Sequence, residues 1–249
     1  MRFSSWRSSK YVQAVLVLVL LCVAPGFQAA ETEESMADLW TDYKAAVLDA
    51  AVYRPENVRD LFPLKVDNDS GRTTVVTLTD WNYPEGRQTL TRAIWVTAVP
   101  EVQNKCRSFK DKDLAMRLRQ LLGLQPDAPV VRFVTMTVEQ RDIFRPALNP
   151  IATTASLCNV QRDKKCGEAF PDWVSDEHKR WITQQMLDSY MVLTPPDHCC
   201  SYPWTRLGYT YDWKKGADKY GASEYVVRPG TIINVKETKE YGRYCSAGS

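Results

Sequence analysis

Residues 73–99 of the chain, TTVVTLTDWNYPEGRQTLTRAIWVTAV, set its architecture. Two β-prone runs, residues 73–81 and 89–99, flank the turn sequence NYPEG, and this pattern predicts a β-hairpin. In the second run the side chains on both faces are largely apolar. Because a strand with two apolar faces is covered on both sides, we expect it to lie inside a sheet.

Further strands are predicted towards the carboxyl end. Residues 207–213 alternate with a period of two, which is typical of a strand, and one side of that strand is aromatic. Residues 223–228 and 231–236 flank a Pro-Gly pair, which predicts a second hairpin. The aromatic side of the alternating run consists of Tyr209, Tyr211 and Trp213. For these rings we favour a place in the core of the sheet over exposure.

About three helices are predicted. Apolar residues recur at steps of three and four from Ser35 to Tyr53, with Ser35 placed to cap the helix and Pro55 to end it. Residues 112–122 carry a leucine-rich face, and Ser175 is placed to cap a third helix. The elements lack regular βαβ alternation, so we predict an α+β fold with a mostly antiparallel sheet and long disulfide-stapled loops.

Residues 1–30 have the organisation of a secretory signal peptide. Arg2, Arg7 and Lys10 precede an apolar run over residues 12–24, and small residues follow. The run is shorter than the roughly 20 residues of a membrane-spanning helix. We expect cleavage near Ala29 or Ala30 and no stable membrane span afterwards. The remainder is expected to be a single α+β domain over residues 31–249 that is periplasmic or secreted.

The charge balance argues against nucleic acid as a partner. The chain has 32 Lys and Arg against 30 Asp and Glu, and three of the basic residues lie in the predicted signal peptide. The remaining chain therefore carries 29 basic against 30 acidic residues, which is nearly neutral. Such a chain has no general electrostatic attraction to nucleic acid or anionic lipid.

Cysteine usage predicts disulfides. Cys22 lies in the predicted signal peptide, and an even number of cysteines in an exported chain favours bridges. Adjacent cysteines bond to each other only with strain, so Cys199 and Cys200 are expected to have distant partners. We expect a local Cys158–Cys166 bridge, with Cys199 and Cys200 bonded to Cys106 and Cys245.

One loop holds candidate catalytic residues. His198, one of two histidines, stands next to Asp197 and the Cys199–Cys200 pair. As a general base it would need an orienting acid from elsewhere than the adjacent Asp197. In a hydrolase, Asp197, Asp212 and Glu224 are the possible acids. The alternative is a rigid proline-edged loop pinned by disulfides. The other histidine, His178, fits a structural place on its helix, and we predict neither a metal site nor a cofactor.

Candidate binding residues lie among the aromatic side chains near the carboxyl end. Trp204 is in a loop and is expected to be exposed, with Arg206 and Tyr209 beside it. Rings of this kind stack on sugar faces or anchor peptides. Arg145, fixed between Phe144 and Pro146, is a candidate for binding an anionic group, and its alternative role is to satisfy loop carbonyls or an internal acid.

Three functional hypotheses follow. Serine-elbow, zinc-protease and phosphate-loop motifs do not occur in the chain, which lowers the expectation of an enzyme. The first hypothesis is a non-catalytic binding protein for a saccharide or a peptide, which requires exposed aromatic faces. The alternative is a hydrolase of cell-envelope or extracellular polymers, and the third is a structural envelope component.

Overall fold

An eight-stranded sheet, which contains two strands from residues 73–99, organises the fold. The structure is a computed structural model and describes residues 34–156, 167–190 and 201–246. Within these ranges the strands are β1 Arg72–Thr79, β2 Gly86–Thr89, β3 Ile94–Ala98, β4 Arg132–Glu139, β5 Ile143–Phe144, β6 Tyr209–Tyr211, β7 Tyr220–Val227 and β8 Ile232–Glu240. The helices are α1 Met36–Ala51, α2 Glu101–Arg107, α3 Leu114–Leu121, α4 Asp176–Tyr190 and α5 Tyr241–Cys245. The fold is α+β, as predicted.

Strand pairings are antiparallel throughout the described residues. The order is β2-β8-β4-β1-β3-β7-β5, and β6 also pairs with β7. Val75 of β1 lies opposite Ala98 of β3, and Thr97 of β3 lies opposite Glu224 of β7. Because β3 has a neighbour on each side, the prediction of a central strand there is confirmed.

The first predicted hairpin is confirmed in its strand pairing, and the second is wrong. β1 and β3 are antiparallel neighbours, although the connection between them contains β2, which joins β8 at the far end of the sheet. β7 and β8 follow one another across Pro229 and Gly230, yet they pair with β3 and β4 and not with each other. This second error concerns which strands pair, a property that depends on distant parts of the chain.

The β7–β8 connection forces the sheet to curl. Four strand intervals separate β8 from β7, so a flat sheet would place them about 19 Å apart. The five residue steps from Val227 to Ile232 span about 17 Å at most. Leu90 lies at this junction, where its N–H donates to the carbonyl of Thr231 and its carbonyl accepts from Gly230. The two ends of the sheet are thereby brought together.

The inner face of the curled sheet encloses an apolar core. Alternate residues of five strands meet there, including Val75, Val96, Val134, Tyr225 and Val235. Branched side chains suit this surface because they pack well against cross-strand neighbours. The inner face is filled, so the space for a site is on the outer face.

Separate elements cover the outer face. α2, α3 and α5 pack on Val76, Phe133 and Ala222 in one apolar cluster. α4 lies over β3, where the rings of Trp181 and Trp95 are 6.1 Å apart. α1 packs against Tyr211 and other rings of a third cluster.

The three predicted helices are present with their caps. Ser35 accepts a hydrogen bond from the N–H of Asp38 in α1, and Ser175 accepts one from His178 in α4. Asp113 caps α3 by accepting from Met116. Sequence periodicity missed α2 and α5, which have seven and five residues, because such short helices show too few turns of pattern.

The disulfide arrangement differs from the expected one. Cys106 of α2 is bonded to Cys245 of α5, with the two Cα atoms 5.3 Å apart. The expectation that these two cysteines pair with Cys199 and Cys200 is therefore wrong. Its physical cause is the unpredicted contact between α2 and α5, which places the sulfurs together.

Several predictions concern residues outside the described ranges. The signal peptide, Cys22 and the Cys158–Cys166 bridge are among them, as are Cys199 and Cys200. The described residues belong to one compact unit that begins at Glu34. None of their helices has the length and apolar character that a membrane crossing requires.

The Cys106–Cys245 bridge predicts a defined loss of stability. It closes a loop of 139 residues in sequence separation. Loops of this length are associated with about 2–5 kcal/mol of stabilisation. Cys106→Ala, Cys245→Ala and the double variant should all lower the free energy of unfolding by the same amount in urea titrations, because each breaks the same bond.

Peptide mapping of thiol-blocked, unreduced protein provides the second measurement. It should yield a peptide that joins Cys106 to Cys245. A peptide joining either of them to Cys199 or Cys200 would contradict the assignment.

Candidate functional site

A cavity of about 320 Å³ lies on the outer face of the sheet, beneath α4 and the loop that precedes β6. Its floor is formed by β1, β3 and β7, which contribute Val76, Thr97 and Glu224. Gln185 and Ser189 of α4 line one side. The volume is at the lower end of the range of about 300–1,000 Å³ that small-molecule sites occupy.

Aromatic rings form much of the cavity wall. Trp95 and Trp204 line it with ring centroids 6.3 Å apart and planes at 85°. Trp181 of α4 lies 6.1 Å from each, tilted by 41° to Trp95 and edge-to-face with Trp204. Contacts of this kind restrict the orientations of the rings. The wall is therefore built from locked aromatic surfaces.

Glu224 places a carboxyl group on the cavity floor. Tyr225 and Val227 of β7 point to the inner core, so strand alternation directs Glu224 to the outer face. Burial raises the pKa of this carboxyl to about 8, and the nearby indole N–H of Trp204 lowers it in part. At neutral pH the group is therefore mainly protonated.

Two polar atoms at this carboxyl lack partners. Among the described residues, neither Glu224 Oε1 nor Trp204 Nε1 has a hydrogen-bond partner. The indole N–H is close enough to affect the carboxyl but falls outside hydrogen-bond geometry. Buried polar groups are usually hydrogen-bonded, so these two adjacent atoms make this part of the cavity wall a candidate binding surface.

The expectation that Trp204 is exposed is wrong. Its side chain is 4 % exposed, although it lies in a loop. α4 covers it, and Tyr190 at the end of that helix donates a hydrogen bond of 2.6 Å to the carbonyl of Trp204. Trp204 nevertheless lines the cavity, so the structure places it beside Glu224 in a buried site instead of on a surface.

Tyr209 and Arg206 lie outside the cavity lining. Tyr209 is 3 % exposed, and its hydroxyl donates to the carbonyl of Asn57 at 2.8 Å. Together with Tyr211 and Trp213 it is buried, which confirms the preference for a core position. Arg206 donates to the carbonyl of Ala51 at 2.7 Å and lies over the ring of Tyr190. Trp204 and Tyr209 therefore do not form the exposed aromatic surface that the first hypothesis places at these residues.

Arg145 is fully buried inside the protein. Its Nη2 donates to the carbonyl of Thr154 at 2.5 Å, and its guanidinium lies 5.7 Å from the ring of Tyr225. Gly208, at φ +80°, packs against its aliphatic part, where a Cβ would come within 2.6 Å of Cδ. This arrangement matches the predicted alternative, an arginine that satisfies a loop carbonyl.

Asp212 is committed to a buried ion pair. Its two carboxylate oxygens accept hydrogen bonds from Nη1 and Nη2 of Arg117 at 2.9 and 2.6 Å. The guanidinium also lies over the ring of Phe109. A carboxylate held in this bidentate manner has a structural role and is not available as a catalytic acid.

Of the two histidines, the structure describes His178 only. His198 and its neighbour Asp197 lie outside the described residues. His178 is buried, with Nε2 2.8 Å from the carbonyl oxygen of Ala147, and burial lowers its pKa. Its ring packs against Phe144, so His178 is structural. The part of the chain that the structure describes holds no cluster of three His, Cys, Asp or Glu suited to a metal ion.

Similarity to known proteins does not identify the site. No protein family matches the chain, and no curated protein or solved structure is significantly similar to it. The geometry of the cavity is therefore the basis for any functional proposal. One sequence signal pointed to it, since Glu224 is the one charged residue of β7.

The Arg117–Asp212 pair predicts a structural phenotype. Asp212→Asn should lower the free energy of unfolding by about 3 kcal/mol, because it leaves the buried Arg117 cation without its partner. Asp111→Asn is the control, since Asp111 is only half-buried beside the same guanidinium and should cost less than about 1 kcal/mol. Urea titrations measure both, and equal effects would contradict the assignment.

Glu224 predicts a distinct dependence of stability on pH. Its pKa of about 8 in the folded protein exceeds the value of about 4.3 for an unperturbed glutamate. Between these values the folded state binds more protons than the unfolded chain, so stability falls as pH rises and the loss is complete above the folded pKa. Glu224→Gln cannot ionise and lacks this loss.

The measurement compares unfolding at two pH values. From about pH 5 to about pH 9, the stability of Glu224→Gln relative to wild type should rise by about 3–4 kcal/mol. The exposed variant Glu85→Gln should follow the wild type. Parallel curves for Glu224→Gln and wild type would show that the carboxyl ionises as it does in water.

Proposed function

We propose that the protein binds a small, mainly apolar molecule in the cavity above β1, β3 and β7. The observation that carries this proposal is a pocket walled by fixed tryptophan rings, with an unpartnered buried carboxyl on its floor. The pocket is partly open to solvent, so a molecule can enter it. Unpaired buried polar groups are also unfavourable, and a bound molecule would fill the space and satisfy them.

The lining indicates the character of the ligand. Most of the residues that line the cavity are apolar or aromatic, such as Leu78, Leu124 and Phe133. A saccharide needs a hydrogen-bond partner for many hydroxyl groups, and an extended peptide needs an open groove. A compact apolar molecule with one polar end suits this site better than either of them.

A hydrolase is the second candidate, and one observation favours it. Glu224 has its pKa raised to about 8 by burial, as is usual for a general acid that works at neutral pH. Hydrolysis also requires a second group to activate water. Among the described residues that line the cavity, Glu224 is the single carboxyl and no histidine is present. Binding without catalysis is therefore better supported.

We also infer that binding takes place outside the cytoplasm. The Cys106–Cys245 disulfide supports this location, since such bridges persist in oxidising compartments. The amino-terminal sequence supports it independently. Peptide mapping of protein extracted from its native cells with thiols blocked tests the location, because an unbridged Cys106 would argue against export.

The binding proposal predicts uptake of a neutral apolar probe. N-phenyl-1-naphthylamine should show enhanced fluorescence with the wild-type protein. Thr97→Phe should weaken this binding at least about tenfold, because the larger ring occupies a cavity of limited volume. Fluorescence titration measures both affinities.

The matched control is Thr74→Phe. This position is exposed on the neighbouring strand β1, so the same substitution should leave the probe affinity unchanged. Equal binding by wild type, Thr97→Phe and Thr74→Phe would place the probe elsewhere and refute this use of the cavity. Circular dichroism verifies that each variant is folded.

A further inference from the structure

We infer that the ligand of this cavity carries a cationic ammonium group, which pairs with the Glu224 carboxylate and lies against the ring of Trp95. The inference rests on the proposed binding function and deepens it by naming a chemical class. Three features of the described residues support it. They are the charges in the lining, the placement of the aromatic rings, and the binding of nearby arginines to other groups.

The lining has an acid without a counterion. Among the described residues that form it there is one carboxyl group, that of Glu224, and no Lys, Arg or His. The nearby cations are engaged elsewhere, since Arg117 is paired with Asp212 and Arg206 donates to the carbonyl of Ala51. A buried carboxylate is stable when a cation pairs with it, and a bound ammonium would supply that cation.

The tryptophan rings provide the second contribution. Trp95 and Trp204 stand at 85° to one another and form two adjoining walls of the cavity. The Trp204 indole acts on the Glu224 carboxyl through its N–H, at the edge of the ring, and so favours the carboxylate form. A cation over the face of the other ring, Trp95, would be attracted by its negative charge, most strongly when both are removed from water. The carboxylate and an aromatic face thus both favour a cation in this cavity.

Other polar ligands fit less well. An anion would be repelled by Glu224 once that group ionises, and no basic side chain of the described lining would compensate its charge. A neutral ligand with a carbonyl group would accept the proton of the un-ionised acid. The test must therefore separate a cation from a neutral molecule of the same shape.

Proton release is a second consequence of the proposed pairing. Burial raises the pKa of two tyrosines, Tyr190 of α4 and Tyr209 of β6, to about 12. The charge of Glu224 also contributes to raising both pKa values. These tyrosines stay neutral at physiological pH, as does Tyr211, whose pKa burial also raises. Arg206 over Tyr190 stays charged. Glu224 is therefore the group in this surrounding that exchanges a proton when an ammonium binds near pH 7.

The experiment compares three phenyl compounds by isothermal titration calorimetry. They are 2-phenylethylammonium, the neutral 2-phenylethanol and the anionic 3-phenylpropanoate. The cation should bind at least about tenfold more tightly than the alcohol, and the anion should bind most weakly. Binding of the cation near neutral pH should release close to one proton, measured as a dependence of enthalpy on the ionisation heat of the buffer.

Two variants assign the effect to the named groups. Glu224→Gln should lose both the preference for the cation and the proton release. Circular dichroism shows that the variant is folded. Glu237→Gln, an exposed carboxylate on β8, should behave as the wild type.

The outcomes separate this inference from the proposed function. If the neutral probe binds while the alcohol equals or exceeds the cation in affinity, the cavity is a binding site and the ammonium inference is wrong. The ammonium inference is also wrong if the probe binds and none of the three compounds does. If neither the probe nor any of the compounds binds, the proposed function itself is overturned.

Discussion

The short connection between β7 and β8 is the constraint on which the rest of the structure depends. It joins strands at opposite ends of a five-strand run, so the sheet must curl. Curling closes the inner face around an apolar core. The outer face is covered by separate groups of helices. One group of helices rests on Val76 and Phe133, while α4 covers Trp95. The cavity lies where these coverings meet.

The local sequence pattern predicts most of the helices and strands of this fold, but it does not predict which distant segments pair. The helices at residues 36–51 and 114–121 and the central position of β3 follow from periodicity and capping residues a few positions apart. The pairing of β7 and the partners of Cys106 and Cys245 are mispredicted, because the true partners lie many residues away in the sequence. A strand's alternation says which residues share a face, but it does not say which strand lies beside it.

In the candidate site, too, local features could be predicted from the sequence and contacts between distant residues could not. Trp204 was expected at the surface because it follows a proline-rich loop, and only the presence of α4 above it explains its burial. Glu224 was named as a possible acid, and its position in a strand covered on both faces is what removes it from water. The joining of these two residues in one cavity needed the fold, since they come from a loop and a central strand.

A comparison of two buried glutamates, Glu101 of α2 and Glu224 of β7, supports a functional role for Glu224. Glu101 is also buried, but it accepts a hydrogen bond of 2.9 Å from the N–H of Ser223 and has Lys105 nearby, so its carboxyl completes the hydrogen bonding of β7. Glu224, the next residue of that strand, has an oxygen without a partner among the described residues and faces a cavity. A structural role explains the first acid. The second weakens the folded state whenever it ionises, and an apolar residue there would avoid that cost. A molecule that enters the cavity and pairs with Glu224, as we propose, would offset that cost.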